Sequence, residues 1–64
     1  MNINKRKLEI ALARNEKSVK DIVSGGINRG TYNQIVRKQS GNPETIGKIA
    51  KIIGVDVTEL IDME

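Results

Sequence analysis

Four polar side chains whose groups could pair with nucleic-acid bases recur within one short stretch of the chain. They are Arg29, Asn33, Gln34 and Arg37. When the stretch is drawn as a helix at about 100° per residue, these side chains and Gly30 lie on one arc. Guanidinium and carboxamide groups pair bidentately with the edges of guanine and adenine in the major groove of duplex DNA. The pattern predicts either a base-reading surface or the solvated face of an ordinary amphipathic helix.

The helix that must position these side chains is predicted over residues 29–38. Asn28 is a good N-cap for it, and Ile27 before the cap can pack on Tyr32, four positions into the helix, as a hydrophobic staple. The residues predicted to face the rest of the chain are Thr31, Tyr32 and Ile35. One side of the helix is therefore expected to pack, and the other side is expected to be exposed.

A second short helix is predicted directly before this one, over residues 19–24. Ser18 is its cap, and Asp21 at the third helical position completes a capping-box-like pair. Gly25 and Gly26 end the helix, because glycine adopts the left-handed conformation that closes a helix without a Cβ penalty. Two short helices joined by a tight glycine turn have the layout of a helix-turn-helix unit.

Contacts to phosphates are expected at the start of the helix over residues 19–24. A helix N-terminus presents free backbone N–H groups and a partial positive charge, which attract a phosphate. Ser18 marks that N-terminus, and Lys17 and Lys20 lie beside it. The alternative is that these lysines form a solvated face. Lys5 and Arg6 are further candidates for phosphate contacts. Their positive charge opposes the dipole of a helix that starts there, so they are not placed to stabilise that helix.

The first and fourth helices are predicted to supply much of the core. The first spans about residues 5–15 and is capped by Asn2 or Asn4. The fourth spans residues 43–53 and begins behind an Asn42 cap with a proline at its first position. An apolar stripe at helical spacing runs along it, formed by Ile46, Ile49, Ala50 and Ile53. We interpret this stripe as core.

A fifth helix is predicted over residues 57–62. Asp56 is its cap, and Glu59 falls at the third position as the capping partner. Its apolar residues are Val57, Leu60 and Ile61. These residues either form a dimer interface or close the core, and the pattern does not separate the two. Five predicted helices and no predicted strand make the expected fold all-α.

Composition excludes several classes of function. With 64 residues, the chain is expected to form one domain, residues 1–64. Cys and His are both absent, which removes disulfides, the usual zinc sites, thiol nucleophiles and imidazole acid–base chemistry. We therefore expect no enzyme, no metal and no cofactor, and we infer no small-molecule ligand. No signal peptide or membrane-spanning stretch is legible, so we expect a cytoplasmic protein that does not bind membranes.

Charge is distributed unevenly along the chain. Residues 1–38 hold nine Lys and Arg against three acidic residues, which gives +6, whereas residues 39–64 hold two against five, which gives −3. Such asymmetry suggests that the first half faces a polyanion and that the second half faces solvent or another protein. The alternative is that the basic residues only increase solubility. Tyr32 is the only aromatic residue, so stacking platforms for single strands are missing and duplex DNA is the better expectation.

Three stretches together resemble a known family. They are Ser-Val-Lys-Asp-Ile at 18–22, Gly-Ile-Asn-Arg-Gly-Thr-Tyr-Asn-Gln-Ile at 26–35, and the segment at 43–60 that begins Pro-Glu-Thr-Ile and ends Thr-Glu-Leu. In this order and spacing they resemble the Cro/C1-type helix-turn-helix family, also called the XRE family, of phage and bacterial transcriptional regulators. The resemblance covers roughly two thirds of the chain.

The resemblance implies a fold, a binding mode and individual residues. It implies a compact lambda-repressor-like bundle of five short helices whose third helix lies in the major groove, with two copies binding a two-fold related site. The base-reading residues would be Arg29, Gly30, Asn33 and Gln34. Phosphate contacts would fall near Val19 and on Arg37 and Lys38.

These observations predict a sequence-specific, double-stranded DNA-binding transcriptional regulator of Cro or small-repressor size, acting as a homodimer on DNA. The alternative is a protein-interaction module on the same scaffold, such as an antirepressor or an antitoxin-like partner. Its contact surface would be formed by Val57, Leu60, Ile61 and Met63.

Overall fold

The computed structural model describes residues 1–62 and is mostly helical. Its α-helices are α1 (Lys5–Arg14), α2 (Val19–Ser24), α3 (Arg29–Lys38) and α4 (Pro43–Ile53), and they are followed by a 3-10 helix, η1 (Val57–Glu59). Within residues 1–62 the only β-type pairing consists of two isolated antiparallel bridges. The expectation of an all-α chain is confirmed for this part of the sequence.

The predicted bounds of α2, α3 and α4 match the structure. Three asparagines set the helix starts as N-caps: Asn4 accepts a hydrogen bond from the backbone N–H of Lys7 at 2.9 Å, and Asn28 and Asn42 each accept one at 2.8 Å. A side-chain acceptor at this position satisfies a backbone donor that has no partner within the helix. Of the two caps proposed for α1, the structure uses Asn4.

The fifth predicted helix is wrong in type and in length. In place of an α-helix over residues 57–62, the chain forms a three-residue 3-10 helix. Asp56 caps this turn by accepting from the N–H and the hydroxyl of Thr58, at 2.9 and 2.8 Å. The helix cannot continue, because Ile61 pairs with Ile3 in an antiparallel bridge. That pairing requires extended backbone.

The core contains side chains from every helical element except η1. Its fully buried members are Leu8, Ile22, Ile46, Ile49, Ile53 and Leu60. The predicted stripe of α4 lies entirely within it. Ile27 and Tyr32, the predicted staple, are both buried in the same cluster. Thr31, which was expected to pack, is exposed, because the buried arc of α3 lies on the side of Tyr32, Ile35 and Val36.

The N-terminal segment, residues 1–4, closes one side of the bundle. Ile3 is only 2% exposed, and its backbone N–H donates to the carbonyl of Gln39 at 2.9 Å. The N–H of Asn4 donates to the carbonyl of Leu60 at 2.7 Å, and the N–H of Gly41 donates to the carbonyl of Met1 at 2.9 Å. The segment therefore joins the loop after α3 to the chain after η1.

The turn between α2 and α3 needs its two glycines for different reasons. Gly26 has φ of +108°, a conformation that side chains with a Cβ adopt at a cost. Gly25 has an ordinary helical conformation, but a Cβ added there would lie 2.6 Å from Cδ1 and 2.8 Å from Cγ1 of Ile52. The sequence predicted that glycine ends α2 in the left-handed conformation. Of Gly25 and Gly26, only Gly26 adopts it.

Alanine at Gly25 should destabilise the protein, and alanine at Gly47 should stabilise it. Gly25→Ala forces its methyl group against the β-branched side chain of Ile52, which should lower the free energy of unfolding by about 1–3 kcal/mol. Gly47 lies inside α4 with nothing within 4 Å of an added Cβ. Gly47→Ala should raise the free energy of unfolding by about 0.5–1 kcal/mol, because alanine loses less backbone entropy in a helix.

Urea denaturation of the two variants beside the unmodified chain measures both effects. Both substitutions add one methyl group. Changes of opposite sign in the free energy of unfolding would therefore show the close contact at Gly25, because a general effect of alanine would have the same sign at both positions. Equal shifts of the two midpoints in one direction would contradict the contact between Gly25 and Ile52.

Candidate nucleic-acid interface

The side chains that the sequence singled out lie together on the exposed side of α3. We call this surface the α3 outer face, and it consists of Arg29, Gly30, Asn33, Gln34 and Arg37, all of which are exposed. On the opposite side of the helix, Tyr32 and Ile35 are 6% exposed and Val36 packs partly against the core. The structure therefore brings the predicted base-reading residues onto one continuous surface of a single helix.

The packing of Tyr32 keeps α3 oriented. Burial in the core, followed by the nearby carboxylate of Glu9, raises the pKa of the Tyr32 hydroxyl above its ordinary value. The side chain therefore stays neutral at physiological pH and remains compatible with its apolar surroundings. A neutral, buried aromatic ring contributes packing without bringing a charge into the core.

The cations of α3 are not paired with carboxylates in the described part of the chain. Within residues 1–62, the only ion pair joins Nζ of Lys7 to Oδ1 of Asp62, at 3.8 Å. Arg29, Arg37 and Lys38 therefore have no carboxylate of these residues within ion-pair distance. Their charges face solvent, where they can meet an anionic ligand without first breaking an internal pair.

Gly30 lies in the first turn of α3. Because it has no side chain, it leaves part of the α3 outer face uncovered. Its N–H donates to the Asn28 side chain at 2.8 Å, and a Cβ added to Gly30 would have only the oxygen of that side chain nearby, at 3.1 Å. The backbone is thus uncovered between Arg29 and Asn33. A ligand can approach the helix more closely there than over a larger residue.

At the start of α2, Ser18 is paired with Asp21. The backbone N–H and the hydroxyl of Ser18 both donate to Oδ2 of Asp21, at 2.8 and 3.1 Å. This confirms the predicted capping pair. The phosphate contact predicted for Ser18 stays a prediction. Lys17 and Lys20 beside it are exposed.

The three residues proposed for a dimer interface differ in exposure. Leu60 is 0% exposed, so it closes the core of a single chain and is unavailable to a partner. Val57 and Ile61 are half-buried and pack against the core. Met63, which the alternative function also used, lies outside the described residues. Of the two roles left open for these side chains, the structure assigns core closure to Leu60.

Lys48 belongs to residues 39–64, the half of the chain whose net charge is negative. In the structure its Nζ lies 4.0 Å from the point that a Cβ on Gly26 would occupy, next to the turn that leads into α3. No local pattern indicates this neighbour, because the two residues belong to different helical units and meet only through packing.

Comparison with known proteins identifies no relative. None of the protein-family models, curated proteins or solved structures matches the chain. Within residues 1–62, no group of three or more metal-ligating side chains is placed to hold an ion. No described helix has the length and apolar character to cross a membrane.

The cap formed by Asp21 should make stability sensitive to acid. The hydrogen bonds from the N–H and then the hydroxyl of Ser18 lower the pKa of Asp21. Because the pKa in the folded chain lies below the unfolded value of about 3.9, the stabilisation is fully present above that value and is lost as pH falls through the folded pKa. Asp21→Ala should therefore lower the free energy of unfolding at pH 7 and have little effect near pH 2.

Urea denaturation at the two pH values measures the difference. Glu9→Gln is a suitable control, because this exposed carboxylate takes no part in the cap. The proposed role of Asp21 would be wrong if its substitution cost the same at both pH values.

Proposed function

We propose that the chain is a sequence-specific, double-stranded DNA-binding transcriptional regulator that inserts α3 into the major groove. The observation that carries the proposal is the α3 outer face, on which two guanidiniums and two carboxamides are exposed together and no carboxylate intervenes. These are the groups that pair bidentately with guanine and adenine. The resemblance of residues 18–60 to the Cro/C1-type, or XRE, family supports the same function.

The dimensions of α3 fit this binding mode. The helix has ten residues, which corresponds to a length of about 15 Å. The major groove is about 12 Å wide and about 8.5 Å deep, so it accepts one such helix with its polar side inward. Arg29 and Asn33, one turn apart, would then meet successive bases.

Under this proposal α2 and α3 act as a helix-turn-helix unit. Four residues, 25–28, separate the two helices, and α2 packs against α4. The groups proposed to contact phosphates are the exposed cations around this unit, which are Lys17, Lys20, Arg37 and Lys38. Contacts of this kind fix the position of a protein on DNA, and the side chains on α3 would read the bases.

Pairing of two copies on DNA is part of the proposal. One short helix makes few base contacts, and joining two binding units raises the effective affinity without new chemistry. Val57 and Ile61 keep partly exposed apolar surface and are the remaining candidates of the predicted interface. A small repressor bound to a two-fold related site is the form that the family resemblance implies.

A protein-interaction module remains the competing function. Its predicted contact surface is reduced by the burial of Leu60 in the core. A gel-shift assay at low salt separates the two functions, because an interaction module would not retard duplex DNA even where electrostatic attraction is least screened.

Arg29→Ala and Lys38→Ala should weaken DNA binding in different ways. Loss of the Arg29 guanidinium should cost about 1–3 kcal/mol on the preferred sequence and relax the base preference at one position. Loss of the Lys38 ammonium should weaken binding to all sequences alike and reduce the salt dependence. Selection from randomised duplexes, followed by fluorescence anisotropy over a salt series, measures both.

Thr31→Ala is the matched control, since Thr31 is exposed on α3 but lies outside the α3 outer face. This variant should keep the affinity and the base preference of the unmodified chain. Recovery of no enriched sequence by the unmodified protein at moderate salt would refute sequence-specific recognition.

A further inference from the structure

A second cationic surface lies on α4, outside the α3 outer face. It lines a depression of about 460 Å³, and its residues are Glu44, Thr45, Gly47, Lys48 and Lys51. Gly47 contributes to the open space, because nothing lies within 4 Å of the position of its missing Cβ. Both lysines are exposed.

Lys48 does not form the ion pair that its position on α4 favours. Glu44 lies one turn before it, the arrangement in which a glutamate and a lysine commonly pair along a helix. Within residues 1–62 the only ion pair is the one between Lys7 and Asp62. The Lys48 ammonium instead lies beside Gly26, 4.0 Å from the position of a Cβ on that residue.

The neighbourhood of Lys48 and the turn is held by close packing. Ile52 lies one helical turn after Lys48 and packs next to Gly25. A Cβ added to Gly25 would lie 2.6 Å from Cδ1 of Ile52. Residues four apart share one side of a helix. Lys48 and Ile52 therefore lie on the side of α4 that covers the turn between α2 and α3.

This position brings Lys48 near the start of α3. Gly26 precedes Arg29 by three residues, so their Cα atoms are at most about 11 Å apart, even in a fully extended chain. The major groove is about 12 Å wide and is bordered by phosphates on both sides. The Lys48 ammonium therefore lies near the N-terminal end of α3, and under the proposed function that end lies in a groove bordered by phosphates.

We propose that Lys48, with Lys51 beside it, contacts the phosphodiester backbone of the duplex that α3 reads. The inference rests on the proposed function and adds a binding surface from the half of the sequence whose net charge is negative. The contact is independent of base sequence, since an ammonium group meets only phosphate oxygens there. Glu44 in the same depression opposes it by repulsion.

Two charge variants test the contact on random-sequence duplex DNA over a salt series. Lys48→Gln should reduce the slope of log affinity against log salt by about 0.9, the contribution of one phosphate contact. The ratio of the affinity of the unmodified chain to that of this variant should then fall about threefold between about 50 and 200 mM salt. Glu44→Gln should bind more tightly than the unmodified chain at low salt.

Arg14→Gln is the matched control for net charge, because Arg14 lines a separate depression on α1. It should retain the slope of the unmodified chain. Lys48→Arg should also retain the slope, which separates loss of charge from a change in α4. Circular dichroism verifies that each variant is folded, and selection from randomised duplexes should return an unchanged base preference for Lys48→Gln.

An unchanged slope for Lys48→Gln would overturn the inference while leaving the proposed function intact. The same is true if Arg14→Gln and Lys48→Gln weaken binding equally, because net charge would then explain both. Failure of the unmodified chain to bind any duplex at low salt would instead overturn the proposed function, and the inference with it.

Discussion

The orientation of the α3 outer face depends on burial of the opposite side of the same helix. A helix of ten residues is marginally stable in isolation, so packing has to hold it. Tyr32 and Ile35 provide that packing within the core, and burial of each such side chain contributes about 1.5–3 kcal/mol. Because the two sides of a helix cannot rotate independently, anchoring these residues directs Arg29, Asn33 and Gln34 outward together.

A second constraint fixes α3 relative to the rest of the chain. A Cβ added at Gly25 would lie 2.6 Å from the side chain of Ile52 in α4, so a larger residue there would have to displace Ile52. Gly26 turns the backbone with a positive φ. The path from α2 into α3 is therefore set jointly by contact and by backbone conformation. A small domain buries a limited fraction of its surface. Few contacts therefore orient its helices, and each one matters for their positions.

The structure also mixes the charges that the sequence separates. Divided by halves, the chain has a basic first part and an acidic second part. In the folded chain, Lys7 of the first half pairs with Asp62 of the second, and Lys48 of the second half lies beside Gly26 of the first. The electrostatic surface near α3 thus cannot be obtained by summing charges along the chain.

Local chemistry determined most of the helical framework. Asn28 and Asn42 predicted the starts of α3 and α4, because a cap satisfies backbone donors only a few residues away. The spacing of the apolar residues predicted the core side of α4, since helical periodicity is a property of neighbouring turns. The same periodicity placed Arg29, Asn33, Gln34 and Arg37 on one surface, although Thr31 was assigned to the wrong side.

The features that the sequence alone left undecided all depend on residues far apart in the chain. Ile3 meets Ile61 and replaces the end of a predicted helix by extended backbone. Leu60 enters the core of its own chain. Caps and periodicity act over a few residues, whereas the packing of Ile52 on Gly25 and of Lys48 beside Gly26 requires the helices to be assembled first. For this reason the sequence determined which side chains share the exposed side of α3, and only the tertiary structure decided what surrounds them.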